Sequence, residues 1–273
     1  MSSKAGGATQ SKLSMRDIAS RCQFSYRTVA KVDRRHFWYV TRNERIFSLI
    51  KQKLPALHKA SFLDVGCGCA NVTGYLYEHG VRNITGWDLN PRGIEICRVR
   101  YPQIKFQLQD FLASGQKETF DALGLFDCIE HISDDVQALE HLRGLIKPGG
   151  RIFITVPALD SLWSKMDDFY GHFRRYSKDS LKKALTESGF SQVECTYIMA
   201  PLVPLLMVRR KLRRIKDCKT SEEIDEVLSR DARLPNIAAN EVLKMILRVE
   251  EKLLGNSDIG FGASLIATAV APL

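Results

Sequence analysis

Two histidines of this chain stand where they could handle a proton. His131 sits in Asp127-Cys-Ile-Glu130-His131, directly after the apolar run FDALGLF (120–126). His172 sits in GHFRRY (171–176), downstream of the apolar run RIFITV (151–156). Imidazole takes a proton from a hydroxyl near neutral pH, so both are candidate bases. His131 has a structural alternative, as a stabiliser of its loop. His58, His79 and His141 fall on helical stretches and read as surface residues. Arg174-Arg175-Tyr176 offers planar guanidinium forks for a phosphate or carboxylate, or else forms a solvated loop before the next helix. Asp127, Glu130, His131 and His172 make an oxygen/nitrogen set of the kind Mg²⁺ or Mn²⁺ accepts. The pattern has no fuller match, and no metal is expected.

A second group of residues follows three successive apolar runs. After SFLDV (61–65) comes Asp64-Val65-Gly66-Cys67-Gly68-Cys69-Ala70. Glycines there let the backbone approach a ligand and aim amide N–H groups at it, or serve only a turn. The pyrophosphate-binding pattern G-x-G-x-x-G would need glycine at 71, which is Asn71, and no G-x-x-x-x-G-K-[ST] loop occurs. After ITGWD (84–88) the terminal Asp88 can accept the two hydroxyls of a ribose. After IKFQLQ (104–109) comes Asp110-Phe111, a carboxylate for an amino group beside an aromatic ring that can cover a base. Each signal is modest alone; their recurrence at successive strand ends strengthens all three.

The elements that must position these residues alternate regularly. Strands are expected at 61–65, 84–88, 104–109, 120–126, 151–156, 192–199 and 262–271. Helices are expected at 70–80, from Pro91 with Asn90 as cap, near 133–146, and from Ser177 to a stop at Gly189. KPGG (147–150) reads as a turn. This alternation indicates an α/β fold, an open sheet with right-handed crossovers and ligands at the carboxyl ends of its strands. Residues 1–12 read as a flexible tail and 13–59 as an N-terminal helical lid. Residues 60–199 and 261–273 form the core, with 200–260, too long for a loop, inserted as a helical cap.

Composition narrows the class. The 273 residues are 45% hydrophobic and 26% charged, which excludes a mainly disordered chain. No apolar stretch reaches the ~18–20 residues of a membrane-spanning helix. MSSKAGGATQSK lacks the apolar core of a secretory signal, so a cytoplasmic protein is expected. Seven scattered cysteines read as reduced core thiols, and Cys67-Gly68-Cys69 is too tight for a metal knuckle. The net charge of +9 suggests an anionic partner. IMAPLVPLLMVRRKLRRIK (198–216) reads as a cap helix with a basic side, or as a segment lying on an anionic membrane surface. No nucleic-acid-binding module is visible, so a nucleic-acid partner is not expected.

FLDVGCGCANVT, GWDLNP, QLQDF, FDALGLFDCIEHI and LIKPGGRIFITVPA, in this order, resemble the motifs of class I S-adenosylmethionine-dependent methyltransferases across about residues 35–200. The resemblance implies a Rossmann-like seven-stranded sheet of order 3-2-1-4-5-7-6 with S-adenosylmethionine as cofactor. It places the methionine end at the turn Gly66–Gly68, with Cys67 between the glycines, the ribose at Asp88, adenine at Asp110 and Phe111, and the sulfonium near Leu125 and Phe126, with Asp64 and Leu89 also in cofactor contact. The chain departs from the pattern at Ala70, where many members carry a third glycine; little loss is expected. HFWYVTRNERI (36–46) and GHFRRYSKDSL (171–181) are similar to blocks of a subset acting on glycans, lipid-linked sugars or specialised metabolites. Phe37, Trp38 and Tyr39 would close over the site, with Trp38 and Tyr39 joining Arg174, Arg175 and Tyr176 in acceptor contact. Arg42 would reach the cofactor carboxylate. The expected activity is methyl transfer to a small organic acceptor, O-methylation before N-methylation, sugar-bearing or lipid-linked molecules included. Alternatives are a methyltransferase of RNA or protein, and a non-catalytic cofactor-binding partner subunit.

Overall fold

The computed structural model describes residues 23–112, 115, 118–212, 218, 220–254 and 260–272. The expected tail (1–12), the start of the helical lid (13–22) and the basic stretch 213–216 lie outside the described residues. Seven strands, β1 (Phe62–Val65), β2 (Ile84–Asp88), β3 (Lys105–Leu108), β4 (Phe120–Phe126), β5 (Ile146–Pro157), β6 (Ser191–Ile198) and β7 (Ser264–Val270), form one sheet of order β3-β2-β1-β4-β5-β7-β6. β1 to β5 are parallel, and β7 runs antiparallel to both β5 and β6. β1 lies between β2 and β4, so strand order reverses there and a crevice opens at the carboxyl ends.

Apart from Asp64 and Asp121, β1 and β4 are apolar because both faces of the sheet are covered. Successive side chains enter opposite cores. Leu63, Leu125 and Ile154 pack on one face with Tyr176 and Leu185, and Phe62, Phe126 and Phe153 on the other with Leu76 and Ile94. Between the strands run α3 (Asn71–Glu78), α4 (Pro91–Arg100), α5 (Asp135–Arg143) and α7 (Lys178–Glu187). Asn90 caps α4 by accepting the amides of Arg92 and Gly93 at 2.9 and 3.0 Å, and Ser177 caps α7. KPGG is not a free turn. β5 already pairs with β4 at Ile146, and the register shifts before Arg151 opposite Ala122. The extra residues bulge, with Gly149 at φ +75°, and Gly150 lies so close to Asp121 that a Cβ would come within 2.7 Å of its carbonyl oxygen.

The N-terminal region supplies α1 (Gln23–Val32) and α2 (Phe37–Lys53). Unforeseen in the sequence, a 3₁₀ turn (Asp160–Leu162) and the short α6 (Lys165–Tyr170) follow β5. Between β6 and β7 stand α8 (Leu202–Leu212), α9 (Ser221–Asp231) and α10 (Ile237–Leu254). α9 packs on α1 and α10 on α2. Buried Asn240 joins the two regions, accepting from the Phe37 amide at 2.8 Å and donating to the Arg35 carbonyl at 2.9 Å. Leu202, Val203 and Leu247 enter the same core as Phe62, so the insert is built into the sheet's packing. None of the described helices is long and apolar enough to cross a membrane. The six described cysteines are free thiols, four of them buried.

Candidate active site

The loop after β1 carries three left-handed residues in alternation, Gly66 (φ +76°), Gly68 (φ +58°) and Ala70 (φ +63°). A Cβ at Gly66 would meet Cys128 Sγ at 2.6 Å, so glycine is required by close packing as well as by φ. Ala70 takes a conformation that costs a non-glycine residue ~1–2 kcal/mol, a larger penalty than its size suggests. The loop amides point inward. Gly66 and Cys67 donate to the Trp87 carbonyl at 2.8 and 3.0 Å, and Gly68 donates to Asp88 Oδ2 at 2.7 Å. The cradle therefore offers close backbone approach, and the expected fan of free N–H groups at 66–68 is absent. Tyr26 of α1, which no sequence signal singled out, lies over Gly68 and Gly93.

Three carboxylates surround this loop differently. Asp64 is buried; its Oδ2 accepts Thr73 Oγ1 at 2.5 Å, and its Oδ1 has no partner. Burial pushes its carboxyl up to about 7 against the pull of the Thr73 hydrogen bond. Asp88 is also buried, and its oxygens each accept one amide, from Gly68 and Asn90 at 2.7 and 2.8 Å. Burial outweighs those amides and raises it to about 6. Asp110 accepts the Leu112 amide at 3.0 Å beside buried Phe111. Leu89, half-buried, follows β2 beside this group. The unpaired Asp64 oxygen and the glycine cradle fit a ligand that brings its own donors, as the ammonium end of S-adenosylmethionine does. Leu125 and Phe126 have their side chains in the two cores, which leaves their backbone at the end of β4 to face a ligand, and the residue that turns away from β4 is Asp127, at φ +50°.

Arg42 of α2 is buried and engaged. It pairs with Asp127 Oδ2 and donates to Asn71 Oδ1 at 3.0 Å, while its Nε has no partner. Asp127 also accepts Thr155 Oγ1 at 3.0 Å. Thus α2 is tied to the ends of β4 and β5, and Asn71, in place of a third glycine, takes part. Tyr39 lies against Arg42, 5.8 Å from ring centroid to guanidinium carbon. Trp38 packs against the core beneath α2, and His36 caps that helix by accepting the Trp38 amide at 3.2 Å.

The two histidines meet. Their ring centroids are 4.8 Å apart in an edge-on arrangement. His172 Nδ1 lies 3.0 Å from Oδ1 of buried Asp167, which fixes Nδ1 as the donor and leaves Nε2 to accept. Burial opposes ionisation of Asp167, but His172 and Arg175 outweigh it and hold the carboxyl down to about 2. Asp167 was not foreseen; its only sequence signal is a position five residues before His172. His131 Nδ1 is buried without a partner, and burial, aided by His172, lowers this imidazole to about 3. Glu130 is buried with Oε2 unpartnered; burial and the Asp127 charge raise its carboxyl well above the usual range. One ligand atom each from Glu130, His131 and His172 lies within 4.8 Å of the others, a set that could hold a cation.

Arg174, Arg175 and Tyr176, expected in acceptor contact, each already have partners within the chain. Arg174 pairs with Asp135 at 2.7 Å. Arg175 donates to Asp167 at 2.7 Å and to the Ala158 carbonyl at 3.0 Å. Tyr176 is buried with its hydroxyl on Asp135 at 2.7 Å.

A parallel sheet reversed by one antiparallel strand, with a glycine loop and acidic residues at its switch point, defines a Rossmann-like architecture. A family model described as a methyltransferase domain matches residues 37–195, and the chain belongs to that family, as an S-adenosylmethionine-dependent methyltransferase. It is 27% identical over 223 residues to an O-methyltransferase of Pyrenophora dematioidea, covering 77% of this chain and 81% of that one. It is 33% identical over 112 residues to a ubiquinone biosynthesis O-methyltransferase of Xylella fastidiosa, covering 39% of this chain and 45% of that one. Phosphoethanolamine N-methyltransferase 2 of Haemonchus contortus, solved with phosphomonomethylethanolamine and S-adenosylhomocysteine, shares the fold with a TM-score of 0.63 at 16% identity, over 96% of this chain and 61% of that one.

Proposed function

We propose that this protein transfers the methyl group of S-adenosylmethionine to an oxygen of a small organic acceptor, with His172 as the base. The observation that carries this reading is the Asp167–His172 pair. The bound cofactor supplies a methyl already activated for in-line displacement, so the chain's work is positioning and proton removal. Asp167 holds His172 through Nδ1 and offsets the charge that forms when Nε2 accepts the acceptor's proton. As the acceptor oxygen bonds to the methyl carbon, the carbon–sulfur bond breaks and its electron pair stays on sulfur. His131, held at about 3, is too weak a base for this step and acts as a wall. The O-methyltransferase relatives support oxygen over nitrogen as the acceptor atom. Acceptor selection belongs to the insert and the N-terminal helices, which Asn240 locks together above the sheet.

The test is S-adenosylhomocysteine release with a panel of hydroxylated small molecules. His172→Ala should lower turnover ~10²–10⁴-fold while cofactor affinity stays within about twofold. His131→Ala should lose much less. Full turnover by His172→Ala would refute the assignment.

A second reading is favoured by the unpartnered Glu130 Oε2 and His131 Nδ1. A divalent cation held by Glu130, His131 and His172 would satisfy both atoms and orient an acceptor oxygen directly, with Asp167 behind His172 as its supporting carboxylate.

A further inference from the structure

Among the described residues, Arg210 of α8 is the arginine beside the histidine cluster for which no hydrogen-bonded partner is found. Its Nη1 is buried and unpartnered, and its nearest carboxylate, Asp167, is 3.8 Å from Nη2, beyond hydrogen-bond reach. Asp167 has no capacity to spare. Oδ1 takes His172 at 3.0 Å and Arg175 at 2.7 Å, and Oδ2 takes the Ser164 amide and hydroxyl at 2.8 and 3.1 Å. Two guanidinium groups therefore face one saturated carboxylate. The excess positive charge is costly: burial, then repulsion from Arg175, pull Arg210 down to about 10 against the attraction of Asp167 and Asp231. A buried cation left short of partners is a standing penalty unless something else completes it.

We propose that Arg210 completes an anion subsite, in which its free Nη1 binds a phosphate or carboxylate group carried by the methyl acceptor. The inference rests on the acceptor entering beside His172, and it narrows the acceptor class to anionic molecules. A planar guanidinium fork that keeps an unused Nη1 donor matches either group. Arg210 comes from the insert, which gives that insert a recognition task in addition to closing the core. The net charge of +9 favours the approach of such an acceptor.

Thermal unfolding and titration calorimetry of the full chain with inorganic phosphate and with acetate test this at constant ionic strength. Phosphate, acetate or both should raise the Tm of the wild type above a chloride control. Whichever anion does so identifies the preferred group. Arg210→Gln should weaken that binding at least tenfold, and Arg210→Lys should retain part of it. S-adenosylhomocysteine affinity should be the same in all three proteins, which separates failure of this inference from failure of the methyltransferase reading. If Arg210→Gln does not fold, the wild-type His172 imidazole signals in NMR must still shift on anion addition. No stabilisation of the wild type beyond chloride, no shift of those signals, or equal binding by Arg210→Gln overturns the proposal.

Discussion

Asp64 is the group through which we expect pH to act on cofactor binding. Its carboxyl is buried under the glycine loop, with one oxygen on Thr73 and the other unpaired, and burial raises it to about 7. A raised carboxyl binds more protons folded than unfolded. Its contribution to stability is therefore complete below the ordinary carboxylate range and is lost as pH rises through about 7. The ligand-free protein should accordingly be more stable near pH 5 than near pH 8, as far as this group decides it. Were the cofactor's ammonium seated at Oδ1, its binding would reverse the preference, because that pairing requires the carboxylate. With its midpoint at about 7, roughly one tenth of Asp64 is ionised at pH 6 and roughly nine tenths at pH 8. Affinity for S-adenosylhomocysteine should then rise about tenfold over that interval, or ~1.4 kcal/mol. Calorimetry in buffers of different ionisation enthalpy should also show net proton release near pH 6. Asp64→Asn should abolish the pH dependence and bind weakly throughout. A flat affinity from pH 6 to pH 8 in the wild type, or an Asp64→Asn variant with wild-type affinity, would refute the reasoning.

Other outcomes follow from single contacts. Ala70→Gly relieves a left-handed alanine and should stabilise the protein by about 1 kcal/mol, seen as a rise in the denaturant midpoint with unchanged slope. If Glu130, His131 and His172 hold a cation, Mn²⁺ titration should give one calorimetric site that Glu130→Gln removes, and chelation should depress turnover; full activity after exhaustive chelation rejects the metal reading. α8 exposes Leu205, Val208 and Leu212 at helical spacing, and the chain then carries six basic residues within 209–216. We therefore expect co-sedimentation with anionic vesicles at low salt that fades as salt rises; no binding at low salt leaves the cap helix reading alone.

Much of the framework was legible in the chain itself. Runs such as FLDV and FDALGLF can only be buried strands, Asn90-Pro91 can only open a helix cheaply, and glycines at 66 and 68 mark a turn that few other residues tolerate. These are local signals, governed by backbone conformation and side-chain period, so neighbouring residues suffice to read them. KPGG misled for the same reason: its local turn chemistry is real, but pairing of Ile146 with Phe120 turns it into a bulge. Side-chain partnership is another matter. His172 with Asp167 lies within a few residues, yet α6, which presents that aspartate, gave no periodic signal in its six residues. Arg42 with Asp127, Asn240 with Phe37, and Arg210 beside a saturated carboxylate join segments 85 to 203 residues apart or elements with no pattern in common. Arg174, Arg175 and Tyr176 looked available because charge in a sequence has no visible counter-charge. Only the folded chain decides which cations meet a carboxylate with hydrogen-bond capacity to spare, because that capacity is settled by proximity in space.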